Sequence, residues 1–207
     1  MKYKLNVTKD EFLGINVLNI EEIPECIITP EVLMQKGSLL FEGAANVGKT
    51  DFVFSWMAHM AAGVTFIKMT PVRPLKVFYL HAGSVDRDFK RKIQKMGIDR
   101  KLIPLIDQNL ITSPSFKKKL NKEGIDLVAE QITTNFDQNV DVIVIDSIQD
   151  FYDGDIQDLK DGDDAPLVSF SENRIEELRQ MVNPNAALIV IHENNRKPEG
   201  GNHVKLR

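Results

Sequence analysis

The chain's 207 residues, 43% hydrophobic and 27% charged, suit one globular domain with a full core, or one domain with a small appendage. A formal net charge of -4 excludes a broad electrostatic attraction to nucleic acid and leaves only a local basic strip to supply one. The single cysteine, Cys26, excludes an intrachain disulfide, a zinc cluster and a redox pair, and reads as a small buried hydrophobe.

The stretch from Met1 to Glu11 lacks the apolar centre of a secretion signal, and no run approaches about 18 apolar residues. A soluble, cytoplasmic protein with no membrane segment is expected. Residues 1–35 show no clear hydrophobic period and are assigned to an arm or small packing element, ahead of a main domain over 36–207. In that domain short apolar runs alternate with helical patterns, the sign of βαβ units. The expected fold is α/β, a mostly parallel central sheet with helices on both faces.

The first run, Ser38 to Glu42, predicts a strand, as do Lys76 to Leu80, Val142 to Ile145 and Ala187 to Ile191. All are near-continuously apolar, as strands covered on both faces are. Leu102 to Ile106 is a weaker strand candidate, placed at an edge or strand end by Pro104. Asp51 to Ala62 is apolar nearly all round and predicts a helix buried on several sides, with Trp56, Met57 and Met60 in the core. Amphipathic helices follow from Phe89, Ile93 and Met96, from Ile125, Val128 and Ile132, and from Ile175, Leu178 and Val182. Residues 150–166 form an acidic stretch, expected to be a flexible, solvated loop; its spacing does not match a calcium-binding EF-hand.

The segment Gly43-Ala44-Ala45-Asn46-Val47-Gly48-Lys49-Thr50 fits G-x-x-x-x-G-K-S/T between a strand and a helix. Glycines let the backbone curl until successive N–H groups face phosphate oxygens, and the helix N-terminus adds to the attraction. Gly43, Ala45, Asn46, Val47, Gly48, Lys49, Thr50 and Asp51 are therefore the candidate nucleotide contacts. Lys49 suits the β- and γ-phosphates, and Thr50 offers its hydroxyl to magnesium. A second strand ends in an acid, Asp146, at the position of a Walker B aspartate that holds magnesium. ATP and Mg2+ are the expected ligands.

In this order the motifs resemble the RecA-like P-loop ATPases, and more narrowly the RepA-type replicative helicases of plasmids and phages within the AAA superfamily. The resemblance starts near Lys36 and includes Gly63, the turn and strand from Pro71 to Leu80, and Arg91 on the following helix. It continues through Phe151, Gly154, Asp155 and Asp158, and the sensor-like segment from Val190 to Lys197. It implies an ATP-driven motor of a mobile element that acts on single-stranded DNA and self-associates into a ring. It also implies a C-terminally shortened sheet, because relatives continue past the point reached at Arg207.

Two departures bear on chemistry. Gly83 stands where the family carries the glutamate that polarises water, which predicts slow hydrolysis. Glu193 stands beside His192 where the family has a second histidine, and is either a relocated base or a mark of an impaired site. His192 is the candidate phosphate sensor, expected to face the nucleotide with His81 from an adjacent strand. Asp86 reads as a helix N-terminal residue rather than a base. The four histidines lack zinc-ligand spacing, and Lys117, Lys118, Lys119 and Lys122 read as a solvated face. The alternative to a motor is a nucleotide-binding module without turnover; a P-loop kinase is disfavoured by the lack of an arginine-rich lid.

Overall fold

The apolar runs become strands of one sheet in the computed structural model, which describes residues 24–83, 86–113, 116–154 and 165–193, with the backbone alone for 86–90. In chain order the elements are β1 (Cys26–Thr29), β2 (Leu33–Met34), β3 (Ser38–Gly43), α1 (Lys49–Ala62), β4 (Thr70–Pro71), β5 (Val77–His81), α2 (Asp86–Lys95), α3 (Ile103–Asn109) and β6 (Leu110–Thr112). There follow α4 (Lys122–Phe136), β7 (Val142–Asp146), α5 (Ile148–Phe151), α6 (Ala165–Phe170), α7 (Glu176–Val182) and β8 (Ala187–Glu193). A π-helical turn, Ser171–Ile175, joins α6 to α7.

The main sheet has the order β3-β8-β7-β5-β6, and every neighbouring pair is parallel. Alternation along each strand divides the core in two. Val77, Tyr79, Val142, Val144, Ala187, Ile189 and Ile191 meet Val53, Phe54, Trp56, Met57 and Met60 of α1. Phe78, Leu80, Ile143, Ile145, Leu188 and Val190 instead meet α4 through Ile125, Val128 and Ile132, and the π-helical turn and α7 through Ile175, Leu178 and Val182. The predicted periodicities thus became the buried stripes of these helices. A small antiparallel sheet, β2-β1-β4, buries Ile27, Ile28 and Leu33 against the α1 side.

α1 ends where Gly63 adopts φ 72°, with Val64 N–H donating to His59 O and Gly63 N–H to Met60 O. This is the left-handed helix stop that glycine makes without strain. Pro74 also packs against Gly63, so closely that a Cβ there would meet its ring.

Three expectations need correction. Ser38–Gly43 is not covered on both faces: β3 is an edge of the described sheet, its exposure alternates, and Leu40 is 62% exposed. Leu102–Ile106 is helical, and the edge strand is Leu110–Thr112. Pro104 lies in the first turn of α3, where its missing N–H has no intrahelical partner to lose. The acidic stretch begins in ordered helix, since Asp150 belongs to α5 and Phe151 and Tyr152 are buried. Asp155, Asp158 and the other aspartates up to Asp164 lie outside the described residues, as do the Phe89 side chain, residues 1–23 and 194–207.

Candidate functional site

At the carboxyl edge of the sheet β3 passes into the glycine-containing turn. Asn46 (φ 61°) and Gly48 (φ 93°) both take left-handed backbone, and α1 starts at Lys49. An ideal Cβ on Gly48 would meet nothing within 4 Å, so glycine is required there by backbone angle rather than by lack of space. No side chain caps α1, which leaves its first N–H groups unpaired at the positive end of the helix. Ala45, Asn46, Val47 and Thr50 are exposed around this turn. Lys49 Nζ donates to Gly43 O and Ala44 O, both at 2.7 Å, so an ammonium group is tied into the loop by carbonyls alone.

Asp146 closes β7 and is 9% exposed. The register sets it level with Ile191 of β8, which is level with Phe41 of β3. Two strand spacings, about 10 Å, therefore separate it from β3, within the span of a triphosphate and its cation. Among the described residues its carboxylate accepts one hydrogen bond, at 2.5 Å from the Tyr79 hydroxyl, and pairs with no cationic side chain. A buried carboxylate met by one neutral donor and no cationic side chain keeps lone pairs for a cation, so Asp146 fits a divalent ion. No cluster of three or more His, Cys, Asp or Glu residues placed to hold a metal occurs among the described residues. A cation here would then take most ligands from phosphate and water, as magnesium does. The Thr50 hydroxyl makes no hydrogen bond to the described residues.

Glu193 closes β8 with its register partner Gly43, the first residue of the turn. Alternation puts it on the α1 side with Ile189 and Ile191. It is exposed, and its backbone carbonyl accepts a hydrogen bond from Gln149 Nε2 at 2.7 Å. His192 falls on the opposite face. Its Nδ1 lies 3.9 Å from Glu42 Oε1, and the two residues line a cavity of about 230 Å3 with Leu40, Ile148, Leu167 and Val190. The expected pairing of His81 with His192 on adjacent strands is also corrected, because β7 lies between β5 and β8.

The structure therefore gathers Gly43, Lys49, Asp146 and Glu193 on the α1 side of one sheet edge and leaves His192 off it. Gly83, just beyond β5, brings no side chain to this edge. Asp86 is the first residue of α2, and its side chain lies outside the described residues. Asp51 turns to α2, where Lys92 Nζ contacts it at 2.5 Å. Lys118 and Lys119 of the basic cluster are engaged locally, with Glu123 and with the Asp150 carbonyl.

Tyr79 was not singled out as a site residue from sequence, because its strand reads as uniformly apolar. The usable signal is a phenol two places before the end of a buried strand, whose hydroxyl must find a partner. Burial first, then the Asp146 charge, raises the Tyr79 pKa far above the ordinary phenol value, so it remains a donor. Gln149 is likewise visible only once α5 and β8 are adjacent.

No curated protein matches this chain in comparison. No helix among the described residues is long and apolar enough to cross a membrane. Residues 17–197 match the AAA domain, a span that takes in the phosphate-loop turn, Asp146 and Glu193 on their five-stranded parallel sheet, and the chain belongs to the AAA domain family of nucleotide-binding P-loop ATPases.

Proposed function

We propose that the chain is a magnesium-dependent ATPase of the RepA-like branch, working on DNA as a motor or switch, in which Glu193 takes over the task of the glutamate missing at Gly83. The observation that carries this reading is the pairing of Gly43 with Glu193 at the sheet edge. It sets an exposed carboxylate, unpaired among the described residues, beside the first residue of the phosphate loop.

The backbone N–H groups from Gly43 to Gly48 receive the phosphates, together with the uncapped start of α1. Lys49 exchanges two carbonyl contacts for phosphate oxygens, which carry formal charge and bind the ammonium more strongly. Thr50 and Asp146 hold the cation, and Asp51 keeps Lys92 of α2 at the first turn. Magnesium, when bound, neutralises charge on the phosphate oxygens. Glu193 orients a water and takes its proton while the water oxygen bonds to the γ-phosphorus; the bond to the bridging oxygen breaks and its electron pair leaves with ADP. His192 contributes through Glu42 and the β3–β8 junction rather than by touching nucleotide.

The test is ATP binding and turnover of the purified chain with and without single-stranded DNA. Wild-type turnover should exceed that of Lys49→Ala, and Glu193→Gln should lower turnover about 100-fold while binding persists. Wild-type binding with turnover equal to Lys49→Ala would remove the motor reading and leave a nucleotide-binding module, the second reading, which Gly83 favours. Turnover unmoved by DNA removes the DNA part, and a strict monomer by sedimentation with ATP removes a ring.

A further inference from the structure

Tyr79 is 1% exposed and lies on β5, directly beside the central strand β7. Its register partner is Val144, whereas Asp146 is level with His81. The phenol therefore reaches diagonally across the strand pair to the end of β7, a distance an aromatic side chain can span. Its ring is held on two sides, by His81 in a stack with centroids 4.9 Å apart and by Phe54 of α1 at 6.3 Å. So confined, the hydroxyl meets Asp146 Oδ2 at 2.5 Å, and this is the only hydrogen bond to that carboxylate among the described residues.

We propose that Tyr79 is a positioning residue for the cation site: its hydroxyl engages Oδ2 of Asp146 and so orients the carboxylate with Oδ1 toward the cation's coordination shell. The proposal rests on the reading of Asp146 as the magnesium partner. A carboxylate with both oxygens free can bind bidentate, an arrangement that calcium accepts in its flexible shell. Magnesium demands a small, near-octahedral shell in which a carboxylate supplies one oxygen. A hydroxyl on Oδ2 thus favours the one-oxygen contact that suits magnesium, and the stack on His81 holds the ring that carries it.

The test measures ATP affinity while MgCl2 or CaCl2 is titrated, in wild type, Tyr79→Phe and Asp146→Asn. Tyr79→Phe keeps the ring and its stack and removes only the hydroxyl. The expected result is a rise of about tenfold in the magnesium needed for half-saturation, as loss of an outer-shell partner typically causes. The calcium requirement should change less than the magnesium requirement, and ATP affinity in EDTA should not change. If Asp146→Asn raises the magnesium requirement and Tyr79→Phe does not, the positioning role is overturned alone. If neither moves it, the reading of Asp146 falls and takes the proposal with it. A variant that unfolds is bypassed in the unmodified protein by NMR of labelled tyrosine: adding MgCl2 to the ATP complex should shift the Tyr79 ring signals more than those of Tyr152. Equal or absent shifts overturn the proposal.

Discussion

At the scale of single residues the proposed chemistry turns on Gly83 and Glu193. Glycine just beyond β5 leaves no carboxylate at that point of the sheet edge, while Glu193 brings one from β8 beside Gly43. In the function proposed above the two positions are alternatives for one task. Gly83→Glu should raise ATP turnover by about tenfold or more, within the range a positioned base supplies, as measured by phosphate release. An unchanged rate would mean that the backbone after β5 does not direct this position at the nucleotide. Motif spacing pointed to Lys49 and Thr50, because phosphate cradling needs contiguous residues, and the acid that ends an apolar run pointed to Asp146. It could not reveal Tyr79 or Gln149, whose partners Asp146 and Glu193 lie 67 and 44 residues away in the chain.

Among the elements, α1 shows how propensity yields to burial: Trp56, Met57 and Met60 are covered because the sheet, β1 and α3 surround the helix. Its limits are set by Gly48 and Gly63, both in left-handed backbone. α4 has a different constraint. Asn121 accepts the Gly124 N–H to start the helix, and the Lys119 carbonyl lies against Gly124 where a Cβ would stand, well inside van der Waals contact. Gly124→Ala should therefore destabilise the fold by about 2 kcal/mol despite the better helix propensity of alanine, since backbone must move. Thermal unfolding measures it, with an expected drop of about 5 °C for a chain of this size. A stabilised variant would show that the 119–121 turn gives way freely. The failed expectation at Leu102–Ile106 has the same lesson in reverse, for a short apolar run carries no period long enough to separate a strand from a helix.

For the whole molecule, nucleotide and fold should be linked, because the loop, Asp146 and Glu193 stand at the ends of three strands and come together only in the folded sheet. ATP with magnesium at about 1,000 times its dissociation constant should stabilise the protein by about 4 kcal/mol, or about 12 °C in the unfolding midpoint. Lys49→Ala should abolish the increment; its persistence would place nucleotide elsewhere. By itself the sequence determined the α/β class, the strands buried on both faces apart from Ser38–Gly43, the helix stripes, and a glycine-containing turn with an acid at the end of another strand. These signals are local, carried by the pattern of apolar residues and by contiguous motif chemistry. Strand order was decided only in the tertiary structure. Once β8 and β7 lay between β3 and β5, alternation put Glu193 on the α1 side, turned His192 to the opposite face, separated His81 from His192 and set Tyr79 against Asp146.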